Sequence, residues 1–367
     1  MGIEERGLAK PAGKRGKDDN GAAASRRQSV TIHDVARHAG VSSMTASRVV
    51  NGSGGVRDAL RRRVQAAIEE LNYVPNLGAR AARAGTMRIG VLFSNPRSSN
   101  LGEFLMGAFG ESSRSGAQLL VEPVAGHARD VDAVSKLVAL GVDGIILPPP
   151  LCDSIEALEI LRRAHIPALS FATADPRSHS AAVLIDDFQG ARSMTQHLID
   201  LGHRRIAFVR GNPAHSPALR REEGFRVAMA EAGLDVPPAW MPQGFFTYKS
   251  GLDVGRELLE CAPEDRPTAI FASNDDMAAA IMAVAHGLDI KIPRDLSIAG
   301  FDDTPIASAL WPQLTTVHQP IAEMAGKAVA MMTEIVRQQR AGTVFEAVHH
   351  LAPFALRSRD STAAPGR

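Results

Sequence analysis

Beyond Gly85, short apolar runs alternate with amphipathic stretches of helical period, and this alternation is the strongest constraint on how the chain folds. The runs fall at residues 89–93, 119–121, 144–147, 168–171, 182–185, 206–209, 269–272 and 298–301. Strands that are apolar on both faces and separated by helices pair in parallel, with helices covering the sheet on each side. The pattern therefore predicts an α/β fold with parallel sheets. It extends over about 270 residues, more than one doubly wound sheet needs, so two similar lobes are expected.

The region before Gly85 is different in kind. It carries 15 Lys and Arg against 8 Asp and Glu, a net +7, whereas the remainder of the 367-residue chain is −6; the overall +1 conceals this division. A basic module attached to a mildly acidic body suggests a polyanion partner for the first and another task for the second. Residues 1–29 hold almost no large apolar side chain and read as a disordered tail. They lack the apolar core of a secretory signal, and no run approaches the roughly 18 apolar residues of a membrane helix. Cys152 and Cys261 are far apart and outside any CxxC pair, which suits a reducing cytoplasm.

Residues 30–74 read as three short helices. Ala36 is small where a second helix must cross closely, Gly40 permits a tight turn, Ser42 can cap the next helix, and Ala46 and Val49 pack it back. This is the anatomy of a helix-turn-helix. Ser43, Met44 and Thr45 then face outward at the start of the second helix, with Arg48 on the same side, in position for a major groove. Arg48 suits a guanine edge, Met44 a thymine methyl, and Ser43 several bases. Thr31, Thr45, Asn51, Tyr73 and Asn76 suit phosphate oxygens, and Ser42 lies among them at the helix start. Residues 75–85 read as a linker that becomes helical on contact.

These segments together resemble the lactose-repressor/galactose-repressor (LacI/GalR) family of bacterial transcription regulators. The resemblance is carried by residues 30–51 and 61–76, by Ile89-Gly90-Val91, and by Leu201-Gly202-His203-Arg204-Arg205-Ile206. It continues through Ser273-Asn274-Asp275-Asp276-Met277-Ala278, Ala299-Gly300-Phe301-Asp302-Asp303 and Leu314-Thr315-Thr316-Val317. It implies a cytoplasmic homodimer that binds a pseudo-palindromic operator. It also implies a two-lobed, periplasmic-binding-protein-like core over residues 86–360 that senses a small ligand, followed by a tail at 361–367. A sugar is the favoured ligand class, with purines and other small metabolites as alternatives. The family's hinge helix wedges a leucine into the minor groove from the position held here by Ala82. A methyl group unstacks a base step less well, so either the kink is shallower or another residue supplies the wedge. Beside that position, Arg80 and Arg83 suit a narrow minor groove electrostatically.

A pocket between α/β lobes is expected at the carboxyl ends of the strands. Phe93, Ser94 and Asn95 lie at such an end, as do Asn274 and Asp302. By the resemblance, Arg221, Asn274 and Asp302 match the family's pocket arginine, amide and carboxylate, and Gln319 resembles a further pocket position where the chain passes between lobes. Phe171, Phe246 and Trp311, with Phe93, are candidates for an apolar face against a sugar ring. No metal or organic cofactor is expected, because the histidines share no ligand spacing with Cys or carboxylates. No GxxxxGK[ST], GxGxxG or GxSxG sequence points to catalysis, and Asp186-Asp187 and Asp275-Asp276 are adjacent pairs that point apart. The sequence thus predicts a ligand-controlled repressor rather than an enzyme.

Overall fold

The computed structural model describes residues 32–50, 56–71, 86–93, 95, 98–124, 130–176, 180–343 and 346–366. The expected tail at 1–29, the linker at 75–85, and Thr31, Asn51, Tyr73, Asn76, Arg80, Ala82, Arg83 and Ser94 lie outside the described residues. The chain divides into two compact units, Met1–Pro75 and Asn76–Arg367.

The first unit holds helices α1 (Ile32–His38), α2 (Ser43–Val50) and α3 (Asp58–Glu70). Val35, Ala36, Ala39, Ala46, Val64 and Ala67 form its core, so the small residues sit where three short helices meet. Gly40 adopts φ +60°, a conformation an L side chain rarely takes. The Arg63 guanidinium closes the turn by donating to the carbonyls of Ala39 (2.6 Å) and Gly40 (3.3 Å). Ser42 accepts from the Thr45 amide at 3.2 Å and thereby caps α2.

The second unit contains two sheets. The first is ordered β10-β5-β4-β3-β1-β2, from β1 (Arg88–Phe93), β2 (Gln118–Pro123), β3 (Gly144–Leu147), β4 (Ala168–Phe171), β5 (Ala181–Leu184) and β10 (His349–Leu351), and its pairings are parallel. The second is ordered β11-β9-β8-β7-β6, from β6 (Ile206–Val209), β7 (Ala269–Ala272), β8 (Ser297–Asp302), β9 (Thr315–His318) and β11 (Ala355–Arg357); only β11 runs antiparallel to its neighbour. All residues of β3, β6 and β7 are buried, as covered parallel strands require. All eight expected strands form, within a residue or two of their limits.

Helices α4 (Ser99–Ser115), α5 (Asp130–Ala139), α6 (Ile155–Arg163) and α12 (Ile321–Ala341) cover the first sheet. Around the second lie α7 (Asp187–Asp200), α8 (Ser216–Glu231), α9 (Tyr248–Leu259), α10 (Asp275–Gly287) and α11 (Pro305–Ala309). Where α4 crosses α12, Gly107 has no alternative: a Cβ there would overlap the Ala322 carbonyl. The chain passes between lobes three times, after β5, after β9 and between β10 and β11.

Residues 361–366, expected as part of a tail beyond the core, pack into the second lobe. Ser361 is fully buried; its hydroxyl donates to the Ile298 carbonyl at 2.5 Å and accepts from the Thr315 amide at 2.8 Å. His203 reaches the Ala363 carbonyl at 2.8 Å, so this histidine is a packing residue. These bonds hold the terminus because β8 and β9 offer buried polar groups that need partners.

Candidate ligand cleft and nucleic-acid interface

In the first unit, α2 presents Met44, 68% exposed, and the exposed Arg48 to solvent. Ser43 and Thr45 are half-buried: Ser43 Oγ meets His33 Nδ1 at 2.9 Å, and Thr45 Oγ1 meets Ser42 Oγ at 2.9 Å. No acidic residue lies on α2, so no carboxylate of its own opposes its amino-terminal dipole. The helix can therefore offer base-reading side chains at its start beside backbone amides suited to phosphate.

In the second unit, a cleft of about 130 Å³ lies at the carboxyl ends of both sheets. That is less than the roughly 300–1,000 Å³ of clefts that hold drug-sized ligands, so the space suits a single ring. Phe93, Arg221, Phe246, Asn274, Asp302 and Gln319, each expected from sequence, line it, as do Asn95 and Phe171. Trp311 does not: it is 83% exposed, carried outward by the segment after α11, and it supplies no wall.

Arg221 is held from three sides. Its Nε donates to Asp187 at 2.8 Å and its Nη1 to the Ser273 carbonyl at 2.6 Å, with Asp302 at 3.5 Å, while the guanidinium lies 3.7 Å from the centre of the Phe301 ring. Among the described residues Nη2 takes part in none of these bonds, which keeps a donor edge for a ligand. Asp302 ends β8 with φ +117°, and it also accepts from Gln319 Nε2 at 2.6 Å and from Asn100 Nδ2 at 2.9 Å. Asn100 belongs to the first lobe and Asp302 to the second, so this bond spans the cleft. Phe246 (φ +59°) and Ala172 (φ +51°) also line the cleft in left-handed backbone. Such strain persists where the surrounding structure over-determines a residue's position, and it clusters at ligand sites.

Burial pushes the Asp302 carboxyl up to about 6, against the opposing pull of Arg221 and the Asn100 bond. Burial likewise raises Asp187, again opposed by Arg221, and raises Asp275 well above the ordinary carboxylate range, with Asp302 adding to the shift. Asp275 is a structural group: it accepts from the Thr304 amide (2.8 Å) and from the hydroxyls of Thr304 (3.1 Å) and Thr316 (2.6 Å). Its neighbour Asp276 reaches the other lobe and accepts from Ser99. In the other adjacent pair, Asp186 caps α7 while Asp187 holds Arg221. Asn274 does double duty, capping α10 through Met277 N at 3.1 Å and donating to the Phe246 carbonyl at 3.3 Å.

Phe104 is buried behind the cleft with ring centroids 5.8 Å from Phe93 and 4.9 Å from Phe171, and it props both aromatic walls. Sequence reasoning missed Ser98, Asn100, His215, Pro217, Ala172 and the prolines Pro148 and Pro149. Ser98 and Asn100 form a helix start, which reads as capping; their proximity to the end of β1 was the available signal. Among the described residues no three His, Cys, Asp or Glu are grouped to hold a metal, and no helix is long and apolar enough to cross a membrane.

Known proteins match both parts of this chain. Residues 31–76 match the model of the bacterial regulatory proteins of the lacI family, and residues 195–362 match that of the periplasmic binding protein-like domain. Catabolite control protein A of Priestia megaterium is 32% identical over 337 residues, covering 91% of this chain and 99% of the relative. The ribose operon repressor of Escherichia coli (strain K12) is 33% identical over 313 residues, covering 84% and 93%. The crystal structure of the lac repressor dimer bound to operator and the anti-inducer ONPF superposes with a TM-score of 0.67 at 28% identity, covering 92% of this chain and all of that one. With a helix-turn-helix at its start, a two-lobed core behind it and relatives that match along both, this chain belongs to the lacI family of bacterial regulatory proteins.

Proposed function

We propose that this chain is a cytoplasmic, homodimeric transcriptional repressor whose operator binding is controlled by a small ligand, a sugar, held in the cleft of its core. The observation that carries the reading is the Asn100–Asp302–Gln319–Arg221 network, in which side chains from both lobes converge on one cleft. An amide, a carboxylate and a guanidinium edge can donate to and accept from adjacent hydroxyls, and Phe93, Phe171 and Phe246 offer faces for the ring's C–H surface. The ribose operon named for one relative and the cellobiose named in a similar solved structure favour the same class.

DNA recognition is assigned to α2, with Arg48, Met44 and Ser43 reading bases, Thr45 meeting phosphate and Ser42 at the helix start. Thr31, Asn51, Tyr73 and Asn76 would add phosphate contacts, and Arg80 and Ala82 would approach the minor groove. One such module reads a single half-site, so a two-fold operator calls for two copies. The lac repressor dimer supports that arrangement. On α4, Met106 (71% exposed) and Phe109 (50% exposed) form an apolar stripe opposite the buried Phe104 and Ala108, which suits a partner copy. The role is one of binding, with no catalytic step.

Lobe closure on the ligand changes the relation of the two core halves within the dimer, and with it the fit of both recognition helices to successive grooves. Fluorescence anisotropy of the chain's own upstream DNA, at fixed salt and with and without a panel of monosaccharides, tests this. One sugar should shift the binding curve, and the direction of the shift tells inducer from co-repressor. Tight DNA binding that no sugar alters would contradict the ligand assignment, and absence of specific DNA binding would contradict the regulator itself.

A further inference from the structure

One side-chain bond joins the start of α1 to the start of α2: His33 Nδ1 lies 2.9 Å from Ser43 Oγ. His33 is exposed and Ser43 half-buried, so the pair is reached from solvent. A hydroxyl carries one proton and two lone pairs, and an imidazole nitrogen accepts when bare and donates when it holds a proton. The two side chains therefore settle their roles jointly. With Nδ1 bare, the Ser43 hydroxyl donates to the ring and keeps only lone pairs for a third group. With Nδ1 protonated, the ring donates and the Ser43 proton is left for that third group. In the neutral ring either nitrogen can hold the single proton, so both arrangements are open; in the charged ring both nitrogens hold one, and only the second arrangement survives.

We propose that His33 is a positioning residue for base reading: acting through Ser43, it sets whether that hydroxyl accepts from or donates to a base edge. The inference rests on the reading of α2 as the recognition helix and adds a residue of α1 to the specificity α2 carries. In the major groove guanine and thymine present a keto oxygen where adenine and cytosine present an amino group. Beside the neutral ring Ser43 adapts to either; beside the charged ring it donates, which favours the keto bases. The other charged groups of this unit do not reproduce the effect. On α1, Asp34 lies 3.5 Å from Arg37, and α2 carries no acidic residue and one basic one, Arg48. On α3, Arg63 is bound to the carbonyls of Ala39 and Gly40 and Glu70 meets His38 at 2.7 Å; the remaining charges there are Asp58, Arg61, Arg62 and Glu69. His38 thus has a carboxylate for its partner rather than a base-reading hydroxyl, and a change in its charge acts on the affinity for every sequence alike.

The test separates base preference from overall affinity. The full chain first selects its preferred duplex from a random DNA pool at pH 8. Fluorescence anisotropy at one salt concentration then compares that duplex with each of its single-base variants at pH 8 and at pH 5.5, a range over which histidines change charge. At one base pair of each half-site, the affinity ratio of a keto base over an amino base on the strand read should rise about fivefold on acidification in the wild type. In His33→Gln and in Ser43→Ala the same ratio should stay within about twofold. A wild-type ratio that does not move, the same rise in either variant, or an equal gain for all duplexes would overturn the role of His33 and leave α2 as the reading helix. Failure of the chain to select any sequence would remove the recognition reading and this inference together. If His33→Gln does not fold, His33→Phe, which fills the same place without a titrating nitrogen, carries the same comparison.

Discussion

Ser99 Oγ donates to Asp276 Oδ1 at 2.6 Å, with the Ser99 amide 3.3 Å from Oδ2, and so ties the start of α4 in one lobe to the first turn of α10 in the other. Asp276 is 9% exposed, which places this charge-assisted pair where water competes weakly. Together with Asn100–Asp302 it forms a two-point latch beside the cleft. Asp276→Ala should release one point and shift the ligand-free protein towards the open arrangement. Bonds of this type contribute about 1.5–3 kcal/mol, a tenfold or larger change in the open-to-closed ratio. Small-angle scattering of the ligand-free core should report a larger radius of gyration for the variant; unchanged dimensions and unchanged ligand affinity would show that the pair does not govern closure.

Arg221 neutralises two buried carboxylates, and its loss should be felt in stability as well as in binding. In Arg221→Ala, Asp187 and Asp302 remain buried without their cation. Breaking a buried pair by removing one partner typically costs about 3–5 kcal/mol. Calorimetric melting should place the core transition lower by on the order of 10 °C. A melting temperature within a degree or two of the wild type would mean that the cleft rearranges to admit water.

The raised Asp302 carboxyl gives a pH dependence with a definite sign. Its folded pKa of about 6 lies above the ordinary carboxyl value, so the folded state takes up this proton more readily than the unfolded chain. Its contribution to stability therefore increases as pH falls from above 6 towards 4. His197 and His203, held below the usual histidine range by burial, act in the opposite direction over the same window. The Asp302 part is read as a difference: thermal melts at pH 7.5 and 5.5 should lose a stabilising increment on acidification in Asp302→Asn relative to the wild type. Sugar affinity of the wild type should fall through the same window, because the neutral acid is a poorer acceptor. Parallel melting curves for the two proteins would refute the assignment.

Arg48 is exposed on α2, the helix proposed to read bases. Arg48→Ala should weaken binding to the preferred operator by about 1–3 kcal/mol and relax the preference at one base pair of each half-site. Anisotropy titrations against single-base operator variants distinguish this from a phosphate contact, whose loss would weaken all sequences equally and flatten the salt dependence.

The parts of this architecture that follow a period were legible in the sequence. The eight apolar runs became strands because buried parallel strands must be apolar on both faces, and Gly40 and Ser42 marked a turn and a cap that the backbone demands. β9 was not recognised because Thr315, Thr316 and His318 look polar. Thr315 and Thr316 are nonetheless fully buried, their hydroxyls bonded to Thr362 and Asp275 from other parts of the chain. β10 and β11 are three residues each and exist only through pairing with strands far away in sequence. Within the cleft, residues at strand ends were found and Asn100 was not, since only the tertiary fold brings the start of α4 to Asp302. Trp311 was misplaced for a related reason: aromatic character suggests a wall, but the course of the chain after α11 decides which way the ring faces.

The central claim is that one ligand in the cleft and one operator on α2 share a single coupling free energy. Coupling of this kind is reciprocal, so the factor by which the ligand changes operator affinity must equal the factor by which saturating operator changes ligand affinity. The decisive measurement is ligand affinity by calorimetry with and without saturating operator at one salt concentration, set beside operator affinity with and without saturating ligand. The account predicts two matching ratios, on the order of 5–150-fold. A ligand affinity that operator leaves unchanged would contradict it.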